Sequence, residues 1–386
     1  MSPAKSVFAL FLLGIIKLLK PFVTVRFGSL FVSRLGHLTG NTECYLAEKK
    51  AGINRPKRVF DIWCPMGKPA NKQLLKMYRR VMPLSSFATQ LMLACQKLDW
   101  FRKDHIFTDA NWGRDIHNVM EKYPPFLKFT RDEEKRGKEM LRVLGIPEGE
   151  KWVCIAARDS MYLRATEPHI DYSYHDFRNS NIQNYREAAV ALMDKGYYVL
   201  RMGRFVEEQM KLQAPKFIDY ACHPLRCDFL DVYLGAKCAF TISNGLGFDG
   251  IPMIFRRPIC FVNEAPYEYL STWIPGLVIW KHHEKDGKRM TPAEIVKSGA
   301  GLFHTSQQYK DAGITLVENI SAEIIDAALE MAEGISKEPQ QLFWANYPRS
   351  RSPHTGEALH GEIRMRVGAK FLNQYRPSYE EMSGEE

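Results

Sequence analysis

From Trp152 onward, short apolar runs rich in β-branched residues alternate with longer stretches of helical periodicity, which is the pattern of a parallel sheet wound with helices. Residues 153–157 predict a strand, 182–195 a helix stopped by Gly196, and 197–202 the next strand. The cycle continues with a strand over 217–220, a helix over 229–235, a strand over 238–242, a short helix over 247–256 and a strand over 259–262. The second half of the chain is therefore expected to be a doubly wound α/β domain.

A chain of 386 residues, 45% of them apolar, is long enough for two such cores. The first half is less regular. Residues 59–64 predict a strand, 71–81 a basic helix, and 131–144 a helix closed by Gly145 and Pro147. The Pro-Glu-Gly-Glu stretch at 147–150 marks the expected boundary, so the division reads 1–22, 23–148, 149–335 and 336–386. In the last segment a helix over 361–372 is expected to return across the first domain, ahead of an acidic, unstructured end at 380–386.

Charge is concentrated at one terminus. The net formal charge is +9, and residues 1–58 hold ten Lys/Arg against two acids, 10 − 2 = +8. The apolar run at 7–16 is followed by Lys17 and Lys20, too early for the ~20 apolar residues a spanning helix needs. A secretory signal places its charge before the apolar run and small residues after it, the reverse of this order. The pattern fits an amphipathic helix at a membrane surface, with Phe8, Phe11, Leu12, Ile15 and Leu19 on one side and anionic lipid attracting the lysines. A helix packed into the first domain is the alternative. Eight cysteines without a CxxC pair indicate reduced thiols in a cytoplasmic protein. Cys222, His223 and Cys227 lack a second pair of ligands, so no metal site is expected.

Three clusters fall where strands end, which is where open α/β sheets bind ligands. Arg158 and Asp159 follow the first strand of the second domain, and a polar-aromatic stretch, Tyr174, His175, Asp176, Phe177, Arg178 and Asn179, leads to the next helix. The plainer reading of that stretch is a surface loop with a helix cap. Arg201, Gly203 and Arg204 follow the second strand and suit phosphate oxygens, unless they form internal ion pairs. Ser243, Asn244, Gly245 and Asp249 form a small-residue turn that can offer backbone N–H groups to a diphosphate. The same turn spells GxGxxG, with Glu264 about twenty residues on, as in a nicotinamide oxidoreductase. That fingerprint belongs to the first strand of its domain, and this is about the fourth.

The string Arg158, Tyr174 to Asn179, Tyr185, Gly196, Arg201 to Arg204, Asp228, and Ser243-Asn244-Gly245 to Asn263 resembles a family of bacterial glycosyltransferases of surface-polysaccharide and lipopolysaccharide biosynthesis, with a fainter likeness to GDP-fucose transferases. The resemblance covers about 150–335 well. It implies a GT-B-like fold, two Rossmann-like domains facing across a crevice, with the acceptor at 23–148 and a nucleotide-sugar donor at 149–335. It further implies Arg158 and the Ser243 turn as donor grip and Gly36-His37-Leu38 facing the crevice, while the basic, apolar N-terminal segment leads to the expectation of a peripheral place on the inner face of the cell membrane. His37, Asp159 and His175 are the catalytic candidates. Arg158, Tyr174, Arg178, Asn179, Arg201, Gly203, Arg204, Ser243, Asn244, Gly245 and Asp249 are the donor-binding candidates. The absence of an Asp-x-Asp motif fits metal-independent transfer with no cofactor beyond the nucleotide-sugar substrate, to a lipid-linked or growing glycan. An oxidoreductase acting on a nucleotide sugar and a non-catalytic glycan-binding scaffold are the alternatives. Nucleic acid is not expected as a partner, since no reader motif accompanies the charge.

Overall fold

A computed structural model describes residues 3–53, 57–96, 98–107, 113–271, 273–336, 340, 344 and 360–382. The chain divides into two compact units, Met1–Phe129 and Thr130–Glu386.

The first unit is built on three parallel strands in the order β2-β1-β3: β1 Thr24–Phe31, β2 Val59–Met66 and β3 Ile106–Phe107. Arg26 faces Asp61 across the β1–β2 register, and their side chains pair at 2.7 and 3.1 Å. Phe27, Cys64, Leu91, Met92 and Phe101 form the core, and Leu13 of the N-terminal helix Pro3–Leu19 is buried among them at 1% exposure. Burying such a leucine contributes about 1.5–3 kcal/mol, so this helix is part of the domain as well as a surface element. The basic helix after β2 runs over Lys72–Tyr78 and begins at Asn71, whose side chain accepts from the Leu74 N–H.

The second unit holds a seven-stranded parallel sheet in the order β13-β9-β8-β7-β4-β5-β6. Five of its strands fall where the hydrophobic runs place them: β4 Trp152–Ala156, β5 Tyr198–Arg201, β6 Phe217–Ile218, β7 Thr241–Ser243 and β8 Ile259–Glu264. Counted from β4, the spatial order is third, second, first, fourth, fifth, sixth, a doubly wound sheet whose direction of winding reverses between β4 and β7. Two strands are additions to the sequence reading: β9 Gly276–Trp280 and β13 Met365–Val367. A small antiparallel sheet of β10 His282–Lys285, β11 Lys288–Arg289 and β12 Ile314–Val317 follows β9.

The segment expected as a helix over 361–372 is β13 followed by the helix Ala369–Met382. Met365 and Val367 are buried on alternate positions and pair with Gly276 and Val278 of β9, so this return joins the second unit's own sheet. Of the end expected to be unstructured over 380–386, residues 380–382 continue the helix Ala369–Met382, and 383–386 lie outside the described residues.

The helix Arg131–Val143 also packs in the second unit, upstream of the expected boundary. Its Glu134 accepts from Tyr233 at 3.2 Å and Lys237 at 2.7 Å, and a Cβ at Gly137 would stand 2.2 Å from the Tyr233 ring. Gly137→Ala gains about 1 kcal/mol of helix propensity, but overpacking costs about 1–3 kcal/mol. The variant is expected to unfold at lower urea concentration than wild type; an equal or higher midpoint contradicts the contact.

Candidate functional site

The winding reverses between β4 and β7, and the first residues beyond those strands meet there. The Arg158 N–H donates to the Asn244 side-chain oxygen at 2.8 Å, and the Asn244 amide nitrogen donates to the Arg178 carbonyl at 2.8 Å. One fully buried side chain thus ties both ends of the loop after β4 to the turn after β7.

This tie gathers positive charge. Arg158 donates to the His175 carbonyl at 3.1 Å and to the Asn179 side-chain oxygen. Arg178 donates to the Gly245 carbonyl and lies 4.8 Å over the Tyr269 ring, and its Nε is buried without a partner. Neither arginine makes an ion pair among the described residues. Lys281, buried just beyond β9, donates to the Asn179 carbonyl. Burial, then the like charge of Arg178, lowers Arg158 to about 10; burial lowers Lys281 to about 8.

The nearby acids act on this cluster through space, Asp176 and Asp159 on Arg158 and Glu318 on Lys281, without pairing with it. Asp159 accepts from the Met161 and Glu207 N–H groups, and Asp176 from Ser160 and Asn179. Glu318 accepts from Ser180, Asn181 and Asn184. Asp249 and Glu264 are buried deeply enough that desolvation raises them to about 7 and about 8, so both carry much of their population as neutral acids near pH 7. Two half-buried arginines and a buried lysine, none in an ion pair among the described residues, suit an anion with several oxygens at this switch point.

The remaining candidates separate by environment. Gly245 has φ +79°, and a Cβ there would stand 2.6 Å from the Glu264 carboxyl, so the glycine makes room for Glu264 and contributes its carbonyl to Arg178. The Leu246 N–H is already given to Asp249 at 2.7 Å, and the α-helix beyond the turn has only five residues, Gly250–Ile254. A diphosphate cradled by free N–H groups and a helix dipole, as expected from the sequence, is therefore poorly supplied here; the arginines are the stronger feature. Ser243 is buried at the end of β7.

Arg201 is 1% exposed, pairs with Asp219 at 3.4 Å and donates to the Glu208 carbonyl at 3.1 Å, so it is an internal ion pair. Gly203 is a packing position, where a Cβ would meet Val206 at 2.5 Å, and Arg204 lies over Phe205. Tyr174 is exposed, and its ring centroid lies 4.1 Å from that of His175.

His37 belongs to the first unit, where it opens a π-helical turn, His37–Asn41, soon after β1. Burial lowers its pKa, which keeps the imidazole neutral and able to accept a proton at pH 7. The His223 ring accepts from the Leu225 N–H at 3.2 Å. Among the described residues no group of three or more His, Cys, Asp or Glu is placed to hold one.

Beside the cations, at the ends of β4 and β5, a cavity of about 290 Å³ is lined by Asp159, Asn179, Ser180, Arg201, Glu207 and Glu318. Its carboxylates accept hydrogen bonds and suit hydroxyl or N–H groups better than phosphate. Lys281 escaped the sequence reading together with its strand: the signal was a lysine closing the apolar run Gly276–Trp280.

No family model and no curated protein matches the chain. Among solved structures it is similar to a glycosyl transferase family 9 protein of Veillonella parvula, at 10% identity over 80% of this chain and 97% of that one, with a TM-score of 0.46. It is also similar to the E. coli ADP-heptose LPS heptosyltransferase II, at 12% identity over 62% and 86% with a TM-score of 0.38. An E. coli heptosyltransferase solved with ADP matches at 10% identity over 61% and 86%, with a TM-score of 0.33.

The raised acids give a pH dependence of definite sign. Glu264 has a folded pKa of about 8, and an unfolded glutamate titrates near ~4.3. The folded chain therefore binds the extra proton, and the stability it contributes is full below the unfolded value and lost as pH rises through about 8. Asp249 adds the same trend through about 7. The melting temperature is expected to fall as pH rises from about 5 to about 8, with a shallower slope in Glu264→Gln; identical slopes contradict the assignment.

Proposed function

We propose that the second unit binds a nucleotide-sugar and that the chain transfers the sugar to a hydroxyl of a lipid-linked or growing surface glycan at the cytoplasmic face of the membrane. The observation that carries this reading is the pair Arg158 and Arg178, half-buried and without ion pairs where the winding of the sheet reverses. A sugar diphosphate brings the oxygens that two guanidinium groups and an ammonium bind best.

In the transfer, the acceptor oxygen forms a bond to the anomeric carbon while the bond from that carbon to the diphosphate oxygen breaks. The electron pair and negative charge pass to the leaving diphosphate. Arg158, Arg178 and Lys281 stabilise that charge as it grows, the part a divalent ion takes in other transferases. The acceptor proton needs a base. His37 is held neutral by its surroundings. Asp159 is the weaker candidate, because both of its oxygens already accept backbone N–H groups. The acidic cavity beside the arginines offers acceptors for hydroxyls of the ribose or of the transferred sugar.

Two points weigh against the nicotinamide reading. The first βα turn carries Ala157-Arg158-Asp159-Ser160 and no glycine, and the carboxyl of Glu264 is packed against Gly245.

Thermal-shift titration against ADP-, GDP-, UDP-, dTDP- and CMP-sugars is expected to find a stabilising donor. Arg158→Ala is expected to weaken that donor by about 1.5–3 kcal/mol, the range for hydrogen bonds to charged groups, and turnover is expected to persist in excess EDTA. Unchanged donor affinity in a folded Arg158→Ala variant, or saturable NADH binding lost in Glu264→Ala, contradicts the proposal.

A further inference from the structure

The N-terminal helix Pro3–Leu19 is apolar on two sides. One side is in the core: Leu13 is buried in the cluster that includes Ala88, Leu91 and Met92, and Leu12 and Ile16 pack against that cluster. On the other, Phe8, Phe11, Ile15 and Leu18 recur at intervals of three and four residues, with Phe11 64% and Leu18 76% exposed. Phe22, in the turn that follows, is 72% exposed.

This stripe continues onto the two helices packed beside it. Phe8 meets exposed Phe87 of the helix Ser86–Cys95 at 6.4 Å between ring centroids. Lys17 lies 4.2 Å over the exposed ring of Trp100 on the helix Asp99–His105. Phe87 thus extends the apolar stripe at one end of the first helix, and at the other end Lys17 sets a cation beside the exposed Trp100 ring.

We infer that these three helices form a docking face for a bilayer surface rich in anionic lipid. Charge complementarity selects that occupant. Lys17, Lys20, Arg102 and Lys103 lie on the same helices and the turn beside them, against Asp99 and Asp104, in a unit whose first 58 residues carry +8. In a two-fold dimer through this face the same cations would be brought against each other. The first helix is ~25 Å long, shorter than the ~30 Å hydrocarbon core, and among the described residues no helix is long and apolar enough to cross a membrane. With Leu13 held in the core, the helix lies along the surface and inserts only its outer side chains.

This goes beyond a detachable N-terminal anchor. Phe87 and Trp100 belong to the face, and deleting the first helix would remove Leu13 from the core along with the contact. The inference does not rest on the transferase reading, and its failure would leave the donor site untouched.

The test is sedimentation of the full chain with vesicles of phosphatidylcholine alone or mixed with phosphatidylglycerol. Wild type is expected to partition at least ~10-fold more strongly to the anionic vesicles and to lose that preference as NaCl screens the lysines. Phe11→Glu with Leu18→Glu, and separately Trp100→Glu, are expected to reduce partitioning at least ~10-fold while keeping the wild-type melting temperature, because each side chain is exposed. Partitioning of these variants equal to wild type overturns the inference, as does salt-insensitive binding of wild type, which needs no variant to fold. Failure of wild type to bind either vesicle, with a concentration-dependent dimer that the substitutions dissociate, assigns the face to a second copy instead.

Discussion

The second unit's site depends on the side chain of Asn244. Fully buried at the end of β7, it accepts from the Arg158 backbone and donates to that of Arg178, closing a twenty-residue excursion onto the sheet that launches it. Both backbone groups would otherwise be left beside a low-dielectric interior, where an unsatisfied partner costs about 1–3 kcal/mol. The far end of the same loop is fixed by a second set of bonds. Ser180 donates to Glu318 at 2.9 Å and accepts from Asn263 at 3.1 Å, and the Asn263 N–H donates to the Asn319 side chain at 2.7 Å. Held at both ends, the loop can keep two like-charged guanidinium groups close without carboxylate partners.

Those charges stay unpaired because no carboxylate among the described residues comes within ion-pair distance, although Asp176 and Asp159 act on Arg158 through space. Asp249 and Glu264 are buried beneath the turn and raised by desolvation, whereas Asp159, Asp176 and Glu318 remain within reach of N–H and O–H groups that occupy them. Arg201 shows the opposite solution one strand away: its nearest acid, Asp219, pairs with it. The same residue type is therefore a structural ion pair on β5 and an open cation after β4, and only the spatial neighbours distinguish the two.

That contrast marks how far the sequence could be read. The parallel sheet was legible because its β-branched runs alternate with helical periodicity, and that pattern also puts Arg158 and Asn244 just beyond the ends of such runs. Asp219 lies eighteen residues from Arg201, and no local pattern announces the pairing. Lys281 depended on recognising β9, a five-residue run that follows Pro275 and begins with glycine. The three residues of β13 are too few to show a period of two, so they merged into the helical pattern after them. The N-terminal helix was read as either interfacial or buried, and its two apolar sides make it a core element with an outer face.

Cores ordinarily saturate their polar groups, and the departures from that rule in the second unit point the same way as the charges. Arg178 Nε, Arg201 Nε and Glu264 Oε2 are buried without partners, and each belongs to a residue at the carboxyl end of a strand or in the loop beyond one. The strands β4 and β8, on either side of β7, are by contrast fully buried from Trp152 to Ala156 and from Ile259 to Val262 with apolar side chains. Unsatisfied polarity at the carboxyl ends of these strands is a local cost carried by a stable scaffold. A bound polar ligand that reaches Arg178 would recover part of that cost, which couples the affinity of the site to the very groups that make its empty form less stable.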